Sequence, residues 1–305
     1  MIKSIRPIII FYFSWIFISL LGYLLSAYIP QQSLLFKYAL MSGFKLFGVI
    51  ILLIITTYFL IYQEPYFQRQ SRIRIKLITL FLGVELIFIF VVRFTGQLNL
   101  ITAIIGSANL IVFSLLIGTW LVYPLKRIID LIPLCLVMSF ADIYSVFIGP
   151  SKSFSYNISE FYQGGMKGLP PFSDFLLIKF PVVGSTLPYP IIGVVDWLII
   201  AFLSAAVLKF KFSDNLVGKS IASICKTKRY SPYLPISVVG LLFAILISNF
   251  TGIFVPVLPV IAGFFVLYLV FFIPEARQLS RSDWMLILSF LLLFFVIGLL
   301  HKSFL

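Results

Sequence analysis

Pro190 to Leu208, PIIGVVDWLIIAFLSAAVL, is an apolar stretch long enough to cross a bilayer. It carries one charge, Asp196, about a third of the way along. A carboxylate at membrane depth costs several kcal/mol unless it is paired, protonated or facing water, so it marks a functional site until packing explains it. What partners Asp196 is the first question that this chain poses.

Composition sets the class. The 305 residues are 61% hydrophobic and 11% charged, with a mean hydropathy of +1.13. A soluble domain carries about 25% charged residues, so the chain reads as an all-α polytopic membrane protein. Its net charge of +13 would suggest nucleic acid in a soluble protein. Here Lys and Arg are expected to gather in cytoplasmic loops, and the excess reads as topology rather than as a nucleic-acid surface. Cys135 and Cys225 lack metal spacing, and the single histidine, His301, sits near the end of the sequence. Zinc hydrolysis and histidine-dependent triads therefore have no candidate residues, and no cofactor or metal is implied.

At roughly 20 apolar residues per crossing, nine spans are predicted, at 7–28, 40–62, 75–94, 98–122, 129–148, 190–208, 234–250, 254–273 and 284–301. The first is read as a retained helix rather than a cleaved signal. With the N-terminus inside, Arg69, Arg72, Arg74 and Lys76 fall on the cytoplasmic side, as do Lys209, Lys211, Lys219, Lys226, Lys228 and Arg229. That places the N-terminus inside and the C-terminus outside by the positive-inside rule. The segment 149–189 becomes a long outer loop containing an apolar, strand-like run, Phe175 to Phe180. Three consecutive regions follow: an N-terminal four-helix region, 1–128; a central region, 129–273; and an extra C-terminal helix, 274–305.

The fifth span brings a second intramembrane carboxylate, Asp142, and the sixth brings Asp196. Because these two helices are consecutive and antiparallel, the side chains are candidates to face each other. Two carboxylates a few ångströms apart cannot both ionise, so they share one proton. Such a pair can hydrolyse an amide: one carboxylate takes a proton from the attacking water while the other protonates the carbonyl oxygen and later the leaving amine. By spacing alone, helix packing or ion relay explains two aspartates as well. Glu85 and Arg93, two turns apart in the third span, read first as packing or water-cavity residues, with Arg93 snorkelling outward. Asn109 and Asn249 read as interhelical hydrogen-bond formers.

The surrounding motifs resemble the presenilin and signal peptide peptidase family of intramembrane aspartyl proteases, whose helices carry Tyr-Asp, then Gly-x-Gly-Asp, then Pro-Ala-Leu. Here the first is Phe140-Ala141-Asp142, the second Gly193-Val194-Val195-Asp196, and the third Pro256-Val257-Leu258-Pro259. Ile178-Lys179-Phe180-Pro181 is similar to the strand and proline before the second aspartate helix. Ala141 stands in place of the tyrosine and Val195 in place of the second glycine. Four spans precede the first aspartate helix where the family has five, and 284–301 is additional.

The resemblance implies a prokaryote-like member of the cytoplasmic membrane. It implies catalytic Asp142 and Asp196, and a substrate that is a transmembrane helix or remnant signal peptide. Leu177, Ile178 and Lys179 would take the unwound substrate by strand addition. Gly193, Pro256, Val257 and Leu258 would shape the site, with Pro256 to Leu258 beside Asp196. Two other classes compete: a proton-coupled transporter or channel with the aspartates as relay, and a non-catalytic membrane chaperone of the same fold.

Overall fold

The computed structural model describes all residues except 1, 29–33, 97, 148, 167, 183–186, 228–230, 252–254, 279, 304 and 305. Lys228 and Arg229, and the side chains of Lys3, Arg69, Asn249 and His301, therefore lie outside the described residues. The described residues form a 79% helical fold with one two-stranded sheet, consistent with an all-α membrane protein. In chain order the helices are α1 (Ile2–Tyr28), α2 (Leu34–Tyr62), α3 (Glu64–Arg69), α4 (Ser71–Thr95), α5 (Leu100–Trp120), α6 (Leu131–Phe147) and α7 (Pro150–Gln163). Strands β1 (Leu177–Phe180) and β2 (Tyr189–Gly193) follow, then α8 (Val194–Phe210), α9 (Ile221–Thr227), α10 (Ile236–Thr251), α11 (Val257–Phe272) and α12 (Arg281–Ser303).

Among the described residues, five stretches are long and apolar enough to cross a membrane: Arg6–Leu25, Ser42–Tyr62, Ser71–Thr95, Leu100–Trp120 and Ile128–Phe147. Ile236–Ser248 and Val257–Phe272 are apolar but shorter. The chain divides into two compact units, one of residues 1–120 and 158–201, the other of 121–157 and 202–305. These units cut across the three consecutive regions expected from the sequence, because the stretch after α7 returns to pack with the first five helices.

In the first unit, α5 is the central element, with Leu115, Leu116, Ser114, Asn109 and Thr119 all at 4% exposure or less. The α2–α4 corner is closed by Arg74, which is fully buried and pairs with Glu64 at 2.9 Å while its guanidinium sits 5.0 Å from the Phe67 ring centroid. Arg74 was expected among the cytoplasmic loop charges; it is instead an internal corner brace.

The expected sixth span also starts differently. Residues 190–193 are strand, and α8 begins only at Val194, so Asp196 lies in its first turn rather than a third of the way along. β2 pairs antiparallel with β1, with Phe180 opposite Tyr189 and Lys179 opposite Pro190; Ile191 is the extra residue of a bulge. A proline without an N–H is accommodated at such an irregular edge position. The run 175–180 is strand only from Leu177, because Phe172–Leu176 wind into a 3-10 turn. α7, read from the sequence as loop, starts on Pro150 and turns Ile158, Phe161 and Tyr162 to one face.

In the second unit, Lys209 at the end of α8 donates to the carbonyls of Val122, Tyr123 and Leu125 at 3.0, 2.9 and 2.6 Å, satisfying backbone acceptors of the turn after α5. Arg127 joins Asp130 and Asp283 at 2.8 and 2.9 Å, which fastens the base of α12 beside the start of α6.

The loop after α8 hides a carboxylate. Asp214 is fully buried and accepts a hydrogen bond from the Tyr233 hydroxyl at 3.0 Å. Burial pushes its carboxyl up to about 7, against the opposing pull of the Tyr233 hydrogen bond. The folded protein then holds this proton more tightly than the unfolded chain, whose Asp titrates near about 4. Stability should therefore fall as pH rises from about 4 to about 7, by at most about 1.4 kcal/mol per pH unit, and stay level above. Thermal unfolding across that window should show this slope in wild type and a flatter profile in Asp214→Asn.

Candidate active site

Asp142 sits half-buried in the fourth turn of α6, and its Oδ2 accepts the backbone N–H of Leu258 at 3.2 Å. The sequence explains the donor. Pro256 is the N-cap of α11, so Val257 and Leu258 begin the helix, and Pro259 takes the third position without an N–H to satisfy. First-turn N–H groups lack intrahelical acceptors, and the positive end of the helix favours a carboxylate. α11 is held close by Gly240 of α10, where a Cβ would come within 2.9 Å of Ile261 Cα. Within its unit, this first turn of α11 gives its Leu258 N–H to Asp142.

Asp196 follows the hairpin in the other unit. It is the third residue of α8, and Gly193 immediately precedes that helix. A Cβ on Gly193 would lie 2.8 Å from Asp196 Oδ2, closer than a methyl and an oxygen tolerate. The carboxylate folds back over Gly193, so a side chain at that position would make the Asp196 carboxylate turn away. Val195 is 52% exposed, so the position where the family has its second glycine is not closely covered. Next to Asp196, Trp197 is wholly buried and its Nε1 donates to Thr56 Oγ1 of α2 at 3.1 Å. No motif flagged that pair; a tryptophan directly beside an aspartate in an apolar stretch was the available signal.

Of the strand residues, Ile178 and Lys179 are buried and Leu177 is half-buried. Ile178 is fully buried, and the Lys179 N–H donates to Ser107 Oγ of α5 at 2.9 Å. The Lys179 ammonium pairs with the Asp174 carboxylate at 2.5 Å, both nearly wholly buried. The Tyr162 hydroxyl gives Asp174 its other hydrogen bond, at 2.8 Å. One edge of β1 therefore meets β2 and the other packs on α5. Glu85, for which packing or a water cavity was expected, accepts from Asn109 Nδ2 at 2.7 Å, and Asn109 also reaches the Phe81 carbonyl. The Arg93 guanidinium lies 6.0 Å from the Phe175 ring centroid.

The second unit thus brings Asp142 to the Pro256-Val257-Leu258 turn, and the first joins Leu177, Ile178 and Lys179 through the sheet to Gly193 and Asp196. No group of three or more His, Cys, Asp or Glu residues that could hold a metal occurs among the described residues. Comparison with protein-family models, curated proteins and solved structures gives no match to this chain. Fold and composition define an all-α protein with several membrane-length helices.

Two substitutions probe the local geometry. Gly193→Ala should turn the Asp196 carboxylate to another rotamer at a cost of about 1 kcal/mol or less, read as a small change in the unfolding midpoint in detergent. Lys179→Met should cost about 3–5 kcal/mol because Asp174 is left buried without its cation. An unchanged midpoint for Lys179→Met would mean that the pair does not hold the hairpin.

Proposed function

We propose that this protein is an intramembrane aspartyl endopeptidase of the presenilin and signal peptide peptidase type, crossing the cytoplasmic membrane nine times with its N-terminus inside. Its substrates are transmembrane segments of other proteins, or remnant signal peptides. The observation that carries the reading is the Leu258 N–H on Asp142. It joins the first and third motifs of the proposed family, from positions more than a hundred residues apart, on one carboxylate. The Gly193 contact with Asp196 adds a reason for the glycine in the second motif.

The chemistry needs only water and the two carboxylates. The ionised one accepts a proton from water as its oxygen bonds to the scissile carbonyl carbon; the protonated one donates to the carbonyl oxygen. The resulting gem-diol collapses when the C–N bond breaks, the leaving nitrogen takes a proton from one carboxyl, and a diol proton returns to the other. Leu258 holds Asp142 through its N–H without blocking Oδ1. Trp197, through Thr56, sets the rotation of the first turn of α8 and positions Asp196. The hairpin precedes that turn directly, so a segment engaging it is delivered to the carboxylate.

A proton-coupled transporter is the second reading, because the first unit contains Glu85, Asp174 and Lys179, buried polar groups of the kind a relay requires. Cleavage of a generic transmembrane peptide in detergent or liposomes, compared with proton flux into the same liposomes, separates the two. Under the protease reading, Asp142→Asn and Asp196→Asn each lower cleavage by about 100-fold or more without a matching loss of fold. Flux without cleavage by the wild type supports the relay instead.

A further inference from the structure

A small cavity of about 20 Å³ lies in the first unit where α4, α5 and the start of β1 meet, lined by Glu85, Thr102, Gly106, Ser107, Asp174 and Lys179 among others. We propose that it is the binding site of one ordered water, which bridges the Glu85 carboxylate to the Lys179 ammonium. The volume admits one water and little else, since roughly 10–15 Å³ measured in this way suffices for a single molecule.

Hydrogen-bonding capacity points the same way. Glu85 is 8% exposed and Lys179 4%. Glu85 Oε2 accepts from Asn109 at 2.7 Å, whereas Oε1 takes no hydrogen bond among the described residues. The Lys179 ammonium has three protons and, among the described residues, gives one, to Asp174. Ser107 Oγ donates to the Ala103 carbonyl and accepts the Lys179 N–H, which leaves it a second lone pair. A water accepting from Lys179 and donating to Glu85 Oε1 and Ser107 Oγ makes three hydrogen bonds, the usual number for a buried water. Charge excludes the other small occupants. The Lys179 ammonium repels a metal cation, the two carboxylates repel an anion, and these charged groups, which share the lining with Phe88, Val92, Leu110 and Phe175, disfavour an apolar guest.

The consequence is a continuous network. Asn109 and Glu85 tie α5 to α4, while Lys179, Asp174 and Tyr162 tie β1 to the end of α7. The water joins the two, so the hairpin is held by the polar interior of the bundle as well as by strand packing. The inference stands apart from the protease reading and survives its failure.

Gly106→Ala tests it in the full-length protein. The added Cβ meets only Glu85 Oε1, at 3.9 Å, an ordinary contact. In a dry cavity a helical Gly→Ala change that fills empty space stabilises, so a raised unfolding midpoint overturns the proposal. Displacing a water with three hydrogen bonds lowers the midpoint instead, which is the expected result. A high-resolution experimental structure supplies the second arm. A solvent peak within hydrogen-bond distance of both Glu85 and Lys179 supports the site; an empty cavity or a direct Glu85–Lys179 contact overturns it.

Discussion

Lys179 and Asp174 meet at 2.5 Å in surroundings that bury both almost completely, and the hairpin leading into α8 hangs on that pair. Burying two charges is expensive, and their attraction repays the cost only with good geometry and further hydrogen bonds. Both conditions are met: Tyr162 takes the second oxygen of Asp174, and Ser107 takes the Lys179 N–H. The 3-10 turn at Phe172–Leu176 exists in this arrangement because it swings Asp174 back towards Lys179, five residues ahead. An apolar substitute for the pair could stabilise as much, yet it would not specify where β1 lies along α5.

Two helix beginnings are the other organising device. α11 opens with proline-flanked N–H groups and receives Asp142; α8 opens after Gly193 with Asp196 in its own first turn. A carboxylate near the positive end of a helix is stabilised by the backbone itself, and for Asp142 the Leu258 N–H supplies that stabilisation. The proline content around α11 serves the same end by reducing the donors that compete for Asp142.

The substrate-binding role expected for β1 meets a physical difficulty, since its residues are packed and its outer edge faces α5. β2 is the less buried of the two strands. If an extended segment adds to this sheet, β2 offers the more accessible edge, and its bulge at Ile191 and proline at 190 limit how many ladder bonds that edge can give.

The sequence alone determined the class and most of the helices, because runs of about 20 apolar residues leave the backbone no cheaper way to satisfy its hydrogen bonds. It also singled out Asp142, Asp196 and the proline turn at 256, since charge and proline inside apolar helices are costly enough to stand out. It missed α7, whose apolar positions recur at helical spacing inside a polar stretch, and it mistook residues 190–193 for helix, because an apolar run has no period that separates strand from helix. Arg74 looked like one more loop cation until its pairing with Glu64 buried it. That the Leu258 N–H reaches Asp142, how closely the Asp196 carboxylate comes over Gly193, and that Lys179 and Trp197 turn inward were decided by the tertiary structure. These are contacts between residues distant in sequence or set by local backbone path, and no spacing rule encodes them.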